Sequence, residues 1–111
     1  MTDDAFLKAL TTLEATLAEN HERTKLIKKR ITQLRRLRAD GASYAEIVAT
    51  RDGPLLVQLL SESSKALDTS GASVRRAEAR ALYDEGLTMD QIAEGFGVTR
   101  QRVSTLLRNS R

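Results

Sequence analysis

The stretch TRQRVSTLLR, residues 99–108, gathers the side chains of this sequence best suited to recognition chemistry. If it is helical, Val103 and Leu106 face inward and Thr99, Arg100, Gln101, Ser104, Thr105 and Arg108 face outward. The planar fork of an arginine can bond O6 and N7 of a guanine together, a glutamine amide matches N6 and N7 of an adenine, and hydroxyls reach phosphates or base edges. Four arginines and no acid occupy residues 99–111, as phosphate neutralisation would require. This chemistry recognises duplex DNA and breaks no bond.

The rest of the composition excludes most catalytic chemistry. There is no cysteine and one histidine, His21, so neither a disulfide framework, a thiol nucleophile nor a histidine metal cluster can be built. Paired carboxylates and Gly-rich phosphate loops are missing, and Ser63, Ser64 and Lys65 read as the polar face of a helix. We therefore expect no enzyme, no cofactor and no metal. The acidic start MTDDAFLKAL does not resemble a signal peptide, and LLVQLL at 55–60 is too short to span a bilayer, so the expectation is a soluble protein of the cytoplasm, located at the nucleoid if it binds DNA, without a membrane partner.

The outward-facing set needs a scaffold, and the flanking residues spell one. Thr88 caps a helix over 89–95, Gly97 permits a left-handed reversal, and Thr99 caps the next helix to about Arg108. Ala93 fits the closest approach of the two helices; Ile92, Phe96, Val98, Val103 and Leu106 form a small core, with Leu82 and Leu87 beneath it. On these residues the segment LTMDQIAEGFGVTRQRVSTLLR, residues 87–108, resembles the helix-turn-helix of bacterial transcription regulators. IAEGFGVTRQRVSTLL is particularly similar to the promoter-reading helix-turn-helix of sigma factors. The resemblance implies that 89–95 is a positioning helix and that 99–108 enters the major groove. It further implies that Arg100, Gln101, Ser104 and Thr105 meet base edges while Thr99, Arg102 and Arg108 hold phosphates. With 111 residues there is no room for the polymerase-binding and promoter-melting regions of a sigma factor.

From Thr2 to about Asp40 no Gly or Pro interrupts the chain, and Thr2 with Asp3 and Asp4 suits a helix start. Apolar residues recur there with heptad spacing: Leu10, Leu17, Thr24 and Ile31 at a, and Phe6, Leu13, Asn20, Ile27 and Leu34 at d. Such a seam wants a partner, either residues 41–111 folded back or a second copy, and the second is the expectation. A parallel dimer would oppose Arg23 to Lys28 and Arg30 to Arg35. An antiparallel one pairs Leu10 with Leu34, Leu17 with Ile27, Leu13 with Ile31, and Asn20 with Thr24 as a polar layer, and brings Glu14 near Lys28. Residues 21–40 carry eight basic and two acidic side chains, which serve either as a solubilising rim or as a bed for DNA phosphates.

Between these ends, Gly41 closes the first helix and Ser43 caps a short one over 44–49. Arg51-Asp52-Gly53-Pro54 makes a turn, a helix runs from Pro54 to about Leu67, Asp68-Thr69-Ser70-Gly71 breaks it, and another helix covers 72–85. LRADGASYAEIV at 37–48 echoes LYDEGLTMDQIA at 82–93, either as a degenerate repeat of the motif or as a shared way of joining two helices.

The expected fold is all-α: a long coiled-coil dimerisation arm (1–40), a helical connector (41–71) and a trihelical DNA-binding domain (72–111). The expected function is sequence-specific transcriptional regulation by a homodimer on double-stranded DNA. Two rivals remain: an interaction protein whose arm binds RNA polymerase, a sigma factor or another regulator, and a nucleoid-associated protein that coats DNA.

Overall fold

A computed structural model of the chain describes residues 4–49 and 55–110, and all their regular structure is helical. The helices are α1 (Ala5–Ala39), α2 (Tyr44–Ala49), α3 (Leu56–Asp84), α4 (Met89–Phe96) and α5 (Arg100–Arg108). No helix among the described residues is long and apolar enough to cross a membrane. The helix start expected at Thr2 and the turn at 51–54, with Pro54 opening the next helix, lie outside the described residues. The cap of α1 is Asp4, whose carboxylate accepts the Leu7 N–H at 3.1 Å.

The break expected at 68–71 does not occur, because α3 is continuous through it. One glycine inside a helix costs about 1 kcal/mol relative to alanine, which packing readily offsets. Here Ser70 is buried and a methyl group on Gly71 would meet only the Arg75 guanidinium, at 3.5 Å. The described residues form two compact units, 15–67 on the one hand and 4–14 with 68–110 on the other, to both of which α1 and α3 contribute.

In the 15–67 unit, α1 and α3 run antiparallel. The Asn20 amide donates to the Ser63 carbonyl at 3.1 Å, and Arg23 reaches the Ser63 hydroxyl at 3.4 Å and the Glu62 carboxylate at 3.7 Å. Further along α1, Leu34 and Leu37 line one groove with Leu55 and Leu56. The seam of α1 therefore has a partner within its own chain, and its inward row departs from the expected one at Leu17 and Thr24. Thr16, Asn20, Arg23, Ile27, Arg30, Leu34 and Leu37 are buried or half-buried, whereas Thr24 is exposed and Leu17 is 50% exposed. The Thr24 hydroxyl donates to the Asn20 carbonyl of its own helix at 2.8 Å. Of the expected positions in this unit, Asn20, Ile27, Ile31 and Leu34 stay half-buried, and Thr16, Arg23 and Arg30 join them while Leu17 and Thr24 turn outward. Ser63, expected on a polar face, is half-buried and serves as acceptor in this network.

The two similar segments build the same corner. After α1, Gly41 takes φ 97°, its N–H donates to the Arg38 carbonyl and the Ala42 N–H to that of Leu37. After α3, Gly86 takes φ 108°, its N–H donates to the Tyr83 carbonyl and the Leu87 N–H to that of Leu82. Both helices end in this six-to-one closure, which needs a left-handed residue and so favours glycine. The next helix then opens with a reciprocal capping box: Ser43 with Glu46 before α2, Thr88 with Gln91 before α4. The Ser43 backbone N–H, with its hydroxyl, holds the Glu46 carboxyl below the usual carboxylate range. One position further on, Ile47 and Ile92 are both buried.

Candidate nucleic-acid interface

The other unit carries the outward-facing set, and its core explains why that set faces outward. Ala79 of α3, Ile92 and Ala93 of α4, and Val103, Leu106 and Leu107 of α5 are buried together, with Leu82, Leu87, Met89 and Phe96 packed against them. Burying Val103, Leu106 and Leu107 on one side of a nine-residue helix turns Gln101 and Arg108 to the opposite side; Arg102 lies at the flank, and Arg100, one turn before Val103, is exposed as the first residue of the helix. Sequence reasoning missed Ala79 and Leu107. Ala79 lies one turn before Leu82 on the same helix face, so the periodicity could have found it. Val98, expected in the core, is 38% exposed: it follows the left-handed Gly97 (φ 69°, ψ 34°), and its backbone N–H closes α4 on the Ala93 carbonyl at 3.0 Å while its side chain stays at the turn's surface.

Capping fixes the turn from both sides. The Thr88 hydroxyl accepts the Gln91 N–H at 3.1 Å and the Gln91 side chain accepts the Thr88 N–H at 2.9 Å. The Thr99 hydroxyl accepts the Arg102 N–H at 3.1 Å and so starts α5.

The seven expected contact residues then divide. The side chains of Gln101 and Arg102 are exposed, with no partner among the described residues. Arg108 is exposed and donates to the Thr105 hydroxyl at 3.3 Å; Thr105, half-buried, donates in turn to the Gln101 carbonyl at 3.2 Å. Ser104 is half-buried in a shallow depression with Arg80, Tyr83 and Met89, nearer the body of the unit than a base-reading hydroxyl should be. Thr99 is exposed, its oxygen engaged as the cap. Arg100 is exposed and lies 3.9 Å from the Asp90 carboxylate of α4.

That acid escaped sequence reasoning because it comes from the preceding helix, and it bears directly on an anionic ligand. An ion pair this exposed contributes at most about 1 kcal/mol. An anionic ligand approaching Arg100 would have to displace Asp90 or share the guanidinium with it. Asp90→Asn should accordingly raise duplex affinity about two- to fivefold in a fluorescence-anisotropy titration. An unchanged affinity would mean that the ligand never meets this pair.

A further residue without a sequence signal positions α5. Arg80 of α3 donates to the Ser110 hydroxyl at 3.0 Å and to the Leu107 carbonyl at 3.1 Å, and meets Asp84 at 3.4 Å. Its fork adds a donor to a Leu107 carbonyl that also accepts the Ser110 N–H at 3.3 Å and the Ser110 hydroxyl at 2.7 Å, and its charge suits that helix end.

In the 15–67 unit, Lys28, Lys29 and Arg36 line a shallow surface of α1 with Thr32 and Gln33. Neither these three cations nor Arg35 has a side-chain partner among the described residues, whereas Lys25 is paired with Glu22 at 3.0 Å. Comparison with protein-family models, with curated proteins and with solved structures found no match.

Proposed function

We propose that the chain is a sequence-specific DNA-binding regulator of transcription that presents α5 to the major groove as the second helix of a helix-turn-helix. One observation carries the reading: a short helix, capped at its start and buried along one side, leaves the side chains of Arg100, Gln101, Arg102 and Arg108 exposed. In this reading α4 lies across the groove, Arg100 and Gln101 meet base edges, and Arg102 and Arg108 hold phosphates. Ser104 and Thr105 contribute at the margin, because both are half-buried. A head this small binds weakly alone, so a second copy of the chain supplies a second head at a paired half-site.

The test is selection of bound duplexes from a random pool, repeated with Arg100→Ala and Gln101→Ala. A preferred sequence is expected for the native chain. Each variant should relax preference at a defined base position, at a cost of about 1–3 kcal/mol. Equal affinity for random and selected duplexes would replace the regulator with a DNA-coating protein, and no retention at moderate salt would remove DNA as the ligand.

A further inference from the structure

We infer that the outer face of α1 in the 15–67 unit is a second binding surface, indifferent to sequence, that seats against the phosphate backbone of duplex DNA. Between Glu22 and Asp40 the chain carries eight cations and no acid. Those cations divide by what they touch. Arg23 meets Asn20, Ser63 and Glu62, and Arg30 meets Gln33. Arg38 donates to the Ala42 carbonyl and lies over the Tyr44 ring, and Lys25 is paired with Glu22. The remaining four, Lys28, Lys29, Arg35 and Arg36, are exposed and have no side-chain partner among the described residues.

By helical spacing Lys29 and Arg36 stand opposite the inward row of Asn20, Arg23, Ile27 and Leu34, and Lys28 and Arg35 stand next to them on one flank. Lys28, Lys29 and Arg36 line one shallow surface with Thr32 and Gln33. Leu26 and Ile31 lie at the two edges of this face, and Ile31 is half-buried. From Lys28 to Arg35, and from Lys29 to Arg36, is two helical turns, about 10 Å along the axis. Over that length one strand of a duplex presents about three phosphates, so four cations match it in charge and in reach.

A face that only keeps a helix wet mixes its charges, with acids three or four residues from its bases. Lys28, Lys29 and Arg35 have no acid at any of those positions; Lys25 and Arg38 stand there instead, so like charges crowd the helix. The helix dipole favours cations only in the last turn, where Arg36 stands and Lys28 and Lys29 do not. A protein partner would need an aromatic or aliphatic anchor within the patch, and a membrane an apolar edge to take up. The other side chains lining it are Thr32 and Gln33, which supply neither. Phosphates need only the charge, and such contacts carry no base information. The choice of DNA over RNA rests on the proposed reading of α5, whose exposed set suits the open major groove of a B-form duplex.

The test is a fluorescence-anisotropy titration with a random-sequence duplex, on a chain in which Arg100, Arg102 and Arg108 are changed to glutamine so that α5 does not supply the signal. That chain should keep weak, salt-sensitive binding. Adding Lys28→Gln, Lys29→Gln, Arg35→Gln and Arg36→Gln should lower the residual affinity about tenfold or more at low salt and reduce its slope against salt by about 2–3. Circular dichroism should stay native and melting should come no earlier, since like charges are removed. Lys65→Gln with Arg75→Gln, exposed cations of α3, should cost less than about twofold, because charges away from the contact are screened. In the native chain, the duplex should shield Lys28 and Lys29 from an amine-reactive ester and leave Lys65 reactive. No residual binding, residual binding that survives the four substitutions, or equal labelling of all three lysines would overturn the inference. Tighter binding of duplex RNA, or of phosphatidylserine vesicles, through the same four side chains would overturn it in favour of that partner. A native chain that selects no sequence yet loses binding with these four cations would instead overturn the reading of α5 alone.

Discussion

Replacing Ile92 with alanine is expected to remove about 3 kcal/mol of stability and, with it, any binding by α5. Ile92 is 1% exposed and, with Val103, is among the largest fully buried side chains among the described residues. It lies where α4 meets Ala79 of α3 and Val103 of α5, so three helices lose contacts at once. The unit has few other apolar side chains to collapse into the space, and a small domain holds only a few kcal/mol in reserve. Urea unfolding followed by circular dichroism gives the loss, and hydrogen exchange locates it in 68–110. Ile47→Ala, at the matching corner, is the control and should cost no more than about 2 kcal/mol, because Ile47 adjoins an open groove and its neighbours can relax. A loss below about 1 kcal/mol at Ile92 would mean that α4 and α5 do not depend on this contact.

The second large effect concerns charge. Changing Arg100, Arg102 and Arg108 together to glutamine should lower duplex affinity about a hundredfold at low salt and reduce the slope of log affinity against log salt by about 2, since Arg102 and Arg108 hold phosphates and each phosphate contact contributes about 0.9. Stability should hardly change, because all three side chains are exposed and their one ion pair, Arg100 with Asp90, is weak. An unaltered slope would remove α5 as the phosphate-binding element. A companion variant with Lys28, Lys29, Arg35 and Arg36 changed to glutamine keeps the native slope if those cations only rim α1. If phosphates also rest along α1, the slope falls by a comparable amount.

How much of this was legible in the sequence differs by element. Helix ends were readable because their determinants are local. Gly41, Ser43, Gly86, Thr88, Gly97 and Thr99 each act within a few residues, and each stands at the helix end it was expected to close or open. The outward set on α5 was readable for a similar reason, since Val103 and Leu106 determine which side turns inward. Ser104 was only half legible, its burial depending on Arg80 and Tyr83 of another helix.

What depends on distant parts of the chain was not readable. The heptad spacing of α1 announced a seam that includes Asn20, but Ser63 and Glu62 of α3, remote in sequence, engage Arg23 beside it, while Thr24 is left exposed. The continuity of α3 was hidden because Ser70 and Gly71 are poor helix formers by themselves and are held helical by what packs around them. Asp90 beside Arg100 and Arg80 beneath Leu107 are contacts across helices, with no periodicity to betray them.

The paired corners also bear on how the chain acquires its fold in time. Each satisfies its backbone groups within one short stretch, from the last turn of one helix to the third residue of the next, so neither waits for remote segments to meet. Asn20 and Ser63 are 43 residues apart, and bringing them together closes a far longer loop. Local turns are therefore complete while the long antiparallel pair is still assembling, and that zippering limits the refolding rate of the 15–67 unit.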